Sequence, residues 1–138
     1  MRNTDMSPGR EPLKYAGKVY PVAFTLDAVD RICAEKGCSV DKIVDLIRNT
    51  SAPDFRHNVV IIAAALINAA VDEHNEDFPE DAWLQIDAAK MARRLTMLQF
   101  SELYSAIANA YIKGFISEVG EKDDDDISAD PNLRSGRR

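Results

Sequence analysis

His57, His74, Cys33, Cys38 and the run Asp72-Glu73-His74-Asn75-Glu76-Asp77 are the residues whose types and spacing could hold a metal ion or move a proton. The two histidines fall near opposite ends of one expected helix, about 25 Å apart at 1.5 Å per residue, too far to share either. The acidic run lacks the glycine and ligand spacing of an EF-hand calcium loop, so it reads as a solvated helix end. Cys33 and Cys38 lie five apart around Gly37 without accompanying histidines. That spacing makes neither a zinc site nor a disulfide framework, and reduced, partly buried thiols are expected. No GxSxG, no glycine-rich phosphate loop closed by Lys-Ser/Thr and no HExxH occurs. The expectation is a non-enzymatic protein with no catalytic, cofactor-binding or metal-ligating residues.

Recognition is the other chemistry on offer. Phe100, Leu103, Tyr104, Ile107, Tyr111 and Phe115 recur at helical spacing and form the clearest stripe in the chain. Such a stripe faces a core by default, or lines a groove that takes another protein's helix. Asn68 interrupts an otherwise apolar run and either satisfies a neighbouring loop or faces a partner, with buried, hydrogen-bonded asparagine the simpler account. Arg56, Arg93 and Arg94 read as surface charges or helix-end partners. A net charge of −6 argues against nucleic-acid binding through phosphates and leaves a positive or apolar protein partner as the natural one.

These side chains must be positioned by a small helical domain. The run Val59–Val71, VVIIAAALINAAV, is too uniformly apolar to be amphipathic and must be almost completely covered. At about 20 Å it is short of the roughly 30 Å a membrane span needs, so it reads as a central helix. A chain of 138 residues is one domain, large enough to bury a core without disulfides or metal. Met1–Pro12 is polar, reads as a flexible arm and lacks the apolar stretch of a secretory signal, which predicts a cytoplasmic protein. Leu13–Phe24 predicts a hairpin turning at Ala16-Gly17, with Pro21 confining its second strand to an edge. Thr25 caps a helix over 26–36 whose Leu26, Val29 and Ile32/Cys33 share a face, and Gly37 ends it. Ser39 opens a helix over 40–48 with Val40, Ile43, Val44 and Ile47 on one side. Ser51-Ala52-Pro53-Asp54 has capping-box spacing and introduces the central helix from about Phe55 to His74. Phe78-Pro79-Glu80-Asp81 starts a further helix carrying Trp83 or Leu84, Ala88, Met91 and Leu95, with Arg93-Arg94 at its C-terminal end. Thr96 and Gln99 form a second capping box. From Glu118 the pattern collapses into EVGEKDDDDISADPNLRSGRR, an expected disordered acidic tail. The fold class is therefore mainly α: a flexible arm (1–12), a helical domain with a short N-terminal β-hairpin (13–117) and a disordered tail (118–138).

In that order the elements resemble a tail assembly chaperone of long-tailed, siphovirus-like phages or prophages. The resemblance runs from about Leu13 to Phe115, through KVYPVAFTLDAVDRI, GCSVDKIVDLI and RHNVVIIAAALINAAVDEHNED to a capped amphipathic helix ending AYIKGF and an acidic tail. It implies a role in binding apolar helical segments of the tape measure protein, keeping them soluble in the host cytoplasm and assisting polymerisation of the tail tube protein. It also implies that the family's longer, frameshifted form would join at the tail. No nucleic-acid or membrane partner is expected. The C-terminal helix is the expected partner surface, with Leu103, Tyr104, Ile107, Tyr111 and Phe115 as its anchors. The competing reading is a helical structural or adaptor subunit of a virion or other assembly. A small enzyme or a nucleic-acid-binding repressor is a third class, disfavoured by the negative charge and the missing catalytic groups.

Overall fold

A computed structural model of the chain describes residues 9–117. The expected acidic tail and residues 1–8 of the expected arm lie outside the described residues. Residues 9–12 correct the arm's boundary, because Arg10 pairs with Glu73 at 2.9 Å and Glu11 already opens the first strand.

Strands β1 (Glu11–Tyr15) and β2 (Lys18–Val22) pair antiparallel, with Leu13 opposite Tyr20 and Pro12 opposite Pro21. Ala16 and Gly17 both have positive φ, 54° and 79°, the signature of a tight turn whose twist matches the strands it joins. Tyr15 and Lys18 close that turn as a hydrogen-bonded pair, and the alternation along an antiparallel ladder makes Pro12/Pro21 a non-bonded pair. Neither proline therefore removes a ladder bond. Leu13, Tyr20 and Val22 turn inward and are buried. Ala16 bears the strain of this turn, since a Cβ in the left-handed region costs about 1 kcal/mol. Ala16→Asn, which creates the favoured Asn-Gly pair, is expected to raise unfolding stability by about 0.5–1 kcal/mol. An unchanged urea midpoint would place the strain elsewhere.

Five α-helices follow. Helix α1 (Leu26–Lys36) is capped by the Thr25 hydroxyl, which accepts from the Ala28 N–H, and stops where Gly37 turns left-handed. Its buried face is Ala28, Val29 and Ile32. Leu26 is corrected out of that face and is 84% exposed, because at about 100° per residue it points roughly 110° away from the centre of the other three. A 3-10 turn (Val40–Lys42) leads into α2 (Ile43–Arg48), so the expected single helix is split. Ile43 and Ile47 are buried while Val40, in the tighter turn, stays largely exposed. Ser39 makes no capping bond; its hydroxyl donates to the Asp41 carboxylate and holds it below its ordinary value.

Helix α3 (Phe55–Asp77) is the axis. Val59–Val71 is buried except for partial exposure at Ala65 and Asn68, as the apolar run requires. Among the described residues α3 alone is long and apolar enough to cross a membrane, yet 78% of its apolar window lies buried within the protein. The capping box expected at Ser51–Asp54 does not form. A proline disfavours the helical region for the residue before it, here Ala52, and the Phe55 N–H instead bonds the Ala52 carbonyl at 3.0 Å in a tight turn.

After a 3-10 turn (Pro79–Asp81), only α4 (Ala88–Arg94) of the expected next helix is helical; 82–87 is extended. Arg93 and Arg94 do sit in the last turn. Helix α5 (Met97–Tyr111) begins with the complete Thr96/Gln99 capping box and passes into a wider π turn (Ile112–Ser117). It lies against β1 and α3.

Candidate partner interface

The five residues expected to anchor a partner fall on the inward side of the C-terminal helix. Leu103 and Ile107 are 2% and 0% exposed and belong to the hydrophobic core. Tyr104 is partly buried, its ring meets Phe55 at 5.5 Å, and its hydroxyl donates to the Ile47 carbonyl at 2.8 Å. Tyr111 and Phe115 stack on each other at 4.6 Å, and both meet Phe24 edge-on, at 5.8 and 5.5 Å. The stripe thus joins α5 to α2, α3 and Phe24, two residues past β2. This corrects its reading as an open row of anchors: Leu103 and Ile107 are sealed in the core, and Tyr104, Tyr111 and Phe115 have partners within the chain and reach the surface only in part.

The chain next to the last two carries exposed apolar residues. Ile112 and Ile116, four residues apart in the π turn, are 47% and 54% exposed. They follow Tyr111 and Phe115 directly in the chain, and Gly114 between them lies against Phe24, where an added Cβ would make ordinary contact at 3.4 Å. A polar staple fixes the same turn to β1. Lys113 Nζ donates to the Arg10 carbonyl and pairs with Glu11, each at 2.8 Å, and the Asn109 amide reaches the other Glu11 oxygen at 3.3 Å.

On the opposite flank of α3, the extended segment 82–87 is held as a strap. The Asn68 side chain accepts from the Ile86 N–H at 2.8 Å and donates to the Ile86 carbonyl at 3.0 Å. Asn75 does the same for Trp83, at 2.7 and 3.0 Å. Two helical turns rise about 10.5 Å, and three extended residues cover about 10 Å, so the asparagine spacing matches the strap. Each amide imitates the edge of a β-strand. Trp83 is fixed further by stacking on His74, by Tyr20 edge-on at 5.8 Å, and by Lys18 Nζ at 4.2 Å from its ring centre. His74 Nε2 lies 2.9 Å from the Asp81 carbonyl; a carbonyl only accepts, so that nitrogen carries the proton. The histidine seen in sequence at a solvated helix end is thus a structural fastener. Asn68 satisfies a loop, the simpler of its two readings. Nothing local to Asn75, or to the buried Asn58, which accepts from Lys36, predicts its partner.

Between α1 and α3 lies an open groove of about 660 Å³, lined by Arg10, Arg31, Asp27, Asp72, Glu73 and Glu76 among others. Most of its charges pair with one another, Arg10 with Glu73 at 2.9 Å among them. Arg31 bonds both Asp27 and Asp72, and the Asp72 hydrogen bond raises its pKa above the ordinary value against an opposing desolvation. Gln85 of the strap donates to the second Asp72 oxygen at 2.6 Å. Among the described residues no group of three or more His, Cys, Asp or Glu side chains converges as a metal-binding cluster. Cys33 and Cys38 are free thiols of intermediate burial. Comparison with protein families, with curated proteins and with solved structures finds no match to this chain.

Proposed function

We propose that this protein is a tail assembly chaperone of a long-tailed phage or prophage, binding apolar helical segments of the tape measure protein and keeping them soluble while the tail tube polymerises. The observation that carries the reading is the exposed pair Ile112 and Ile116 beside the Phe24–Tyr111–Phe115 cluster, on an otherwise acidic helical domain. Apolar side chains at a four-residue spacing offer a partner helix a complementary ridge, next in the chain to aromatic rings that are themselves fixed by stacking. The surface is modest, which suits a chaperone that must release its client. The net charge of −6 keeps such a complex soluble after the client's apolar stripe is covered. The anchors therefore shift from the inward stripe of α5 to its C-terminal outer edge.

Replacing Ile112 and Ile116 together by aspartate should abolish solubilisation of a co-expressed tape measure protein. Helical circular dichroism and the urea midpoint should hardly change, because exposed substitutions usually stay within about 0.5 kcal/mol. Full retention of client binding by this double variant would remove the proposed surface.

A further inference from the structure

We propose that Cys33 and Cys38 form a dithiol site that closes reversibly into an intramolecular disulfide by exchange with small disulfides such as glutathione disulfide. The geometry comes from how α1 ends. Gly37 takes the left-handed conformation, φ 63°, and the N–H groups of both Gly37 and Cys38 reach the Cys33 carbonyl, that of Cys38 at 3.1 Å. In a helix end closed this way the side chains at the two ends of the six-residue loop meet, usually as an apolar contact. Here both positions are cysteine. A direct backbone hydrogen bond keeps their Cα atoms near the roughly 4.4–6.8 Å separation that disulfides use. Both thiols are partly accessible, so a small disulfide can reach them.

The environment slows the pair's reaction with oxidants. Desolvation, then the neighbouring Cys38 thiol, and more weakly Asp30 and Asp41, push the Cys33 thiol up. Its thiolate fraction at neutral pH is therefore small, so exchange is slow and runs through that fraction. In the exchange, one protein thiolate attacks glutathione disulfide, forming a mixed disulfide and releasing one glutathione thiolate. The second protein thiolate then attacks the protein sulfur of that mixed disulfide, closing the Cys33–Cys38 bond and releasing the second glutathione. The two protons lost by the protein end on the two glutathiones, and the protein's two electrons reduce the incoming disulfide. Closure would lock the end of α1 against unwinding, which ties this redox change to the stability of the helix pair α1 and α3.

The test titrates the full chain with graded mixtures of reduced and oxidised glutathione, traps free thiols by alkylation and weighs the products, under native conditions and in concentrated guanidinium. The expected result is a monomer in which neither cysteine alkylates, reversed by dithiothreitol, with a closure constant at least about tenfold larger folded than denatured. Cys33→Ser should instead retain one glutathione on Cys38. Persistent mixed disulfides on the wild-type chain, disulfide-linked dimers, or a folded closure constant less than about tenfold above the denatured one would each overturn the proposal.

Discussion

Truncating Leu103 to alanine should lower the free energy of unfolding by about 2–5 kcal/mol, the range for deleting a fully buried leucine whose cavity closes only in part. A domain of this size holds only about 5–15 kcal/mol in total, so the variant should unfold at markedly lower urea. Leu103 packs in the same core as Ile107, Ile62 and Leu66, with α3 as its centre. The expected result separates two roles for α5. Were its stripe an open partner face, Leu103→Ala would scarcely move the urea midpoint, and a change below about 1 kcal/mol would return the stripe to that role.

The second large effect concerns the strap. Asn68→Ala removes both partners of the Ile86 backbone, and Asn75→Ala those of Trp83. Each is expected to cost about 1–3 kcal/mol, since the backbone groups left behind are partly buried and must recruit water or stay unpaired. The two asparagines stand about 10.5 Å apart along α3, far enough for independent effects to add. They share one strap, however. If it peels as a unit after the first substitution, the second will cost much less than it does alone, and the strap amides should then exchange hydrogen rapidly. Full additivity, with slow exchange retained around the remaining asparagine, would show that each clasp acts alone. Loss of neither stability nor protection in the double variant would sink the strap altogether.

The strap also marks where the sequence was least legible. Ala88, Met91 and Leu95 share a helical spacing that extends back to Leu84, and the expected helix followed it. Leu84 is nonetheless 85% exposed. Its segment is extended because side chains 8 and 18 residues earlier supply its backbone hydrogen bonds, a long-range choice that no local periodicity records. By contrast, the Thr96/Gln99 capping box, the Ala16-Gly17 turn and the glycine stop after α1 are local devices, and each lies where its residues imply. Ser51–Asp54 carries the same cap spacing and fails for a local reason too: the proline inside it disfavours the helical conformation at the preceding residue. The α5 stripe was legible as a stripe. Which of its members face inward was not, because Tyr104 and Tyr111 take their partners from Ile47 and Phe24, distant in sequence.

Co-expression with the tape measure protein that the proposal makes its client, followed by a pull-down and a solubility assay with and without this chain, tests the proposed function most directly. The proposal predicts that the tape measure protein becomes soluble only when this chain is present, elutes with it, and loses both properties with Ile112→Asp/Ile116→Asp. A tape measure protein that stays insoluble, with this chain retained in finished particles, would contradict the chaperone role and make the protein a structural subunit.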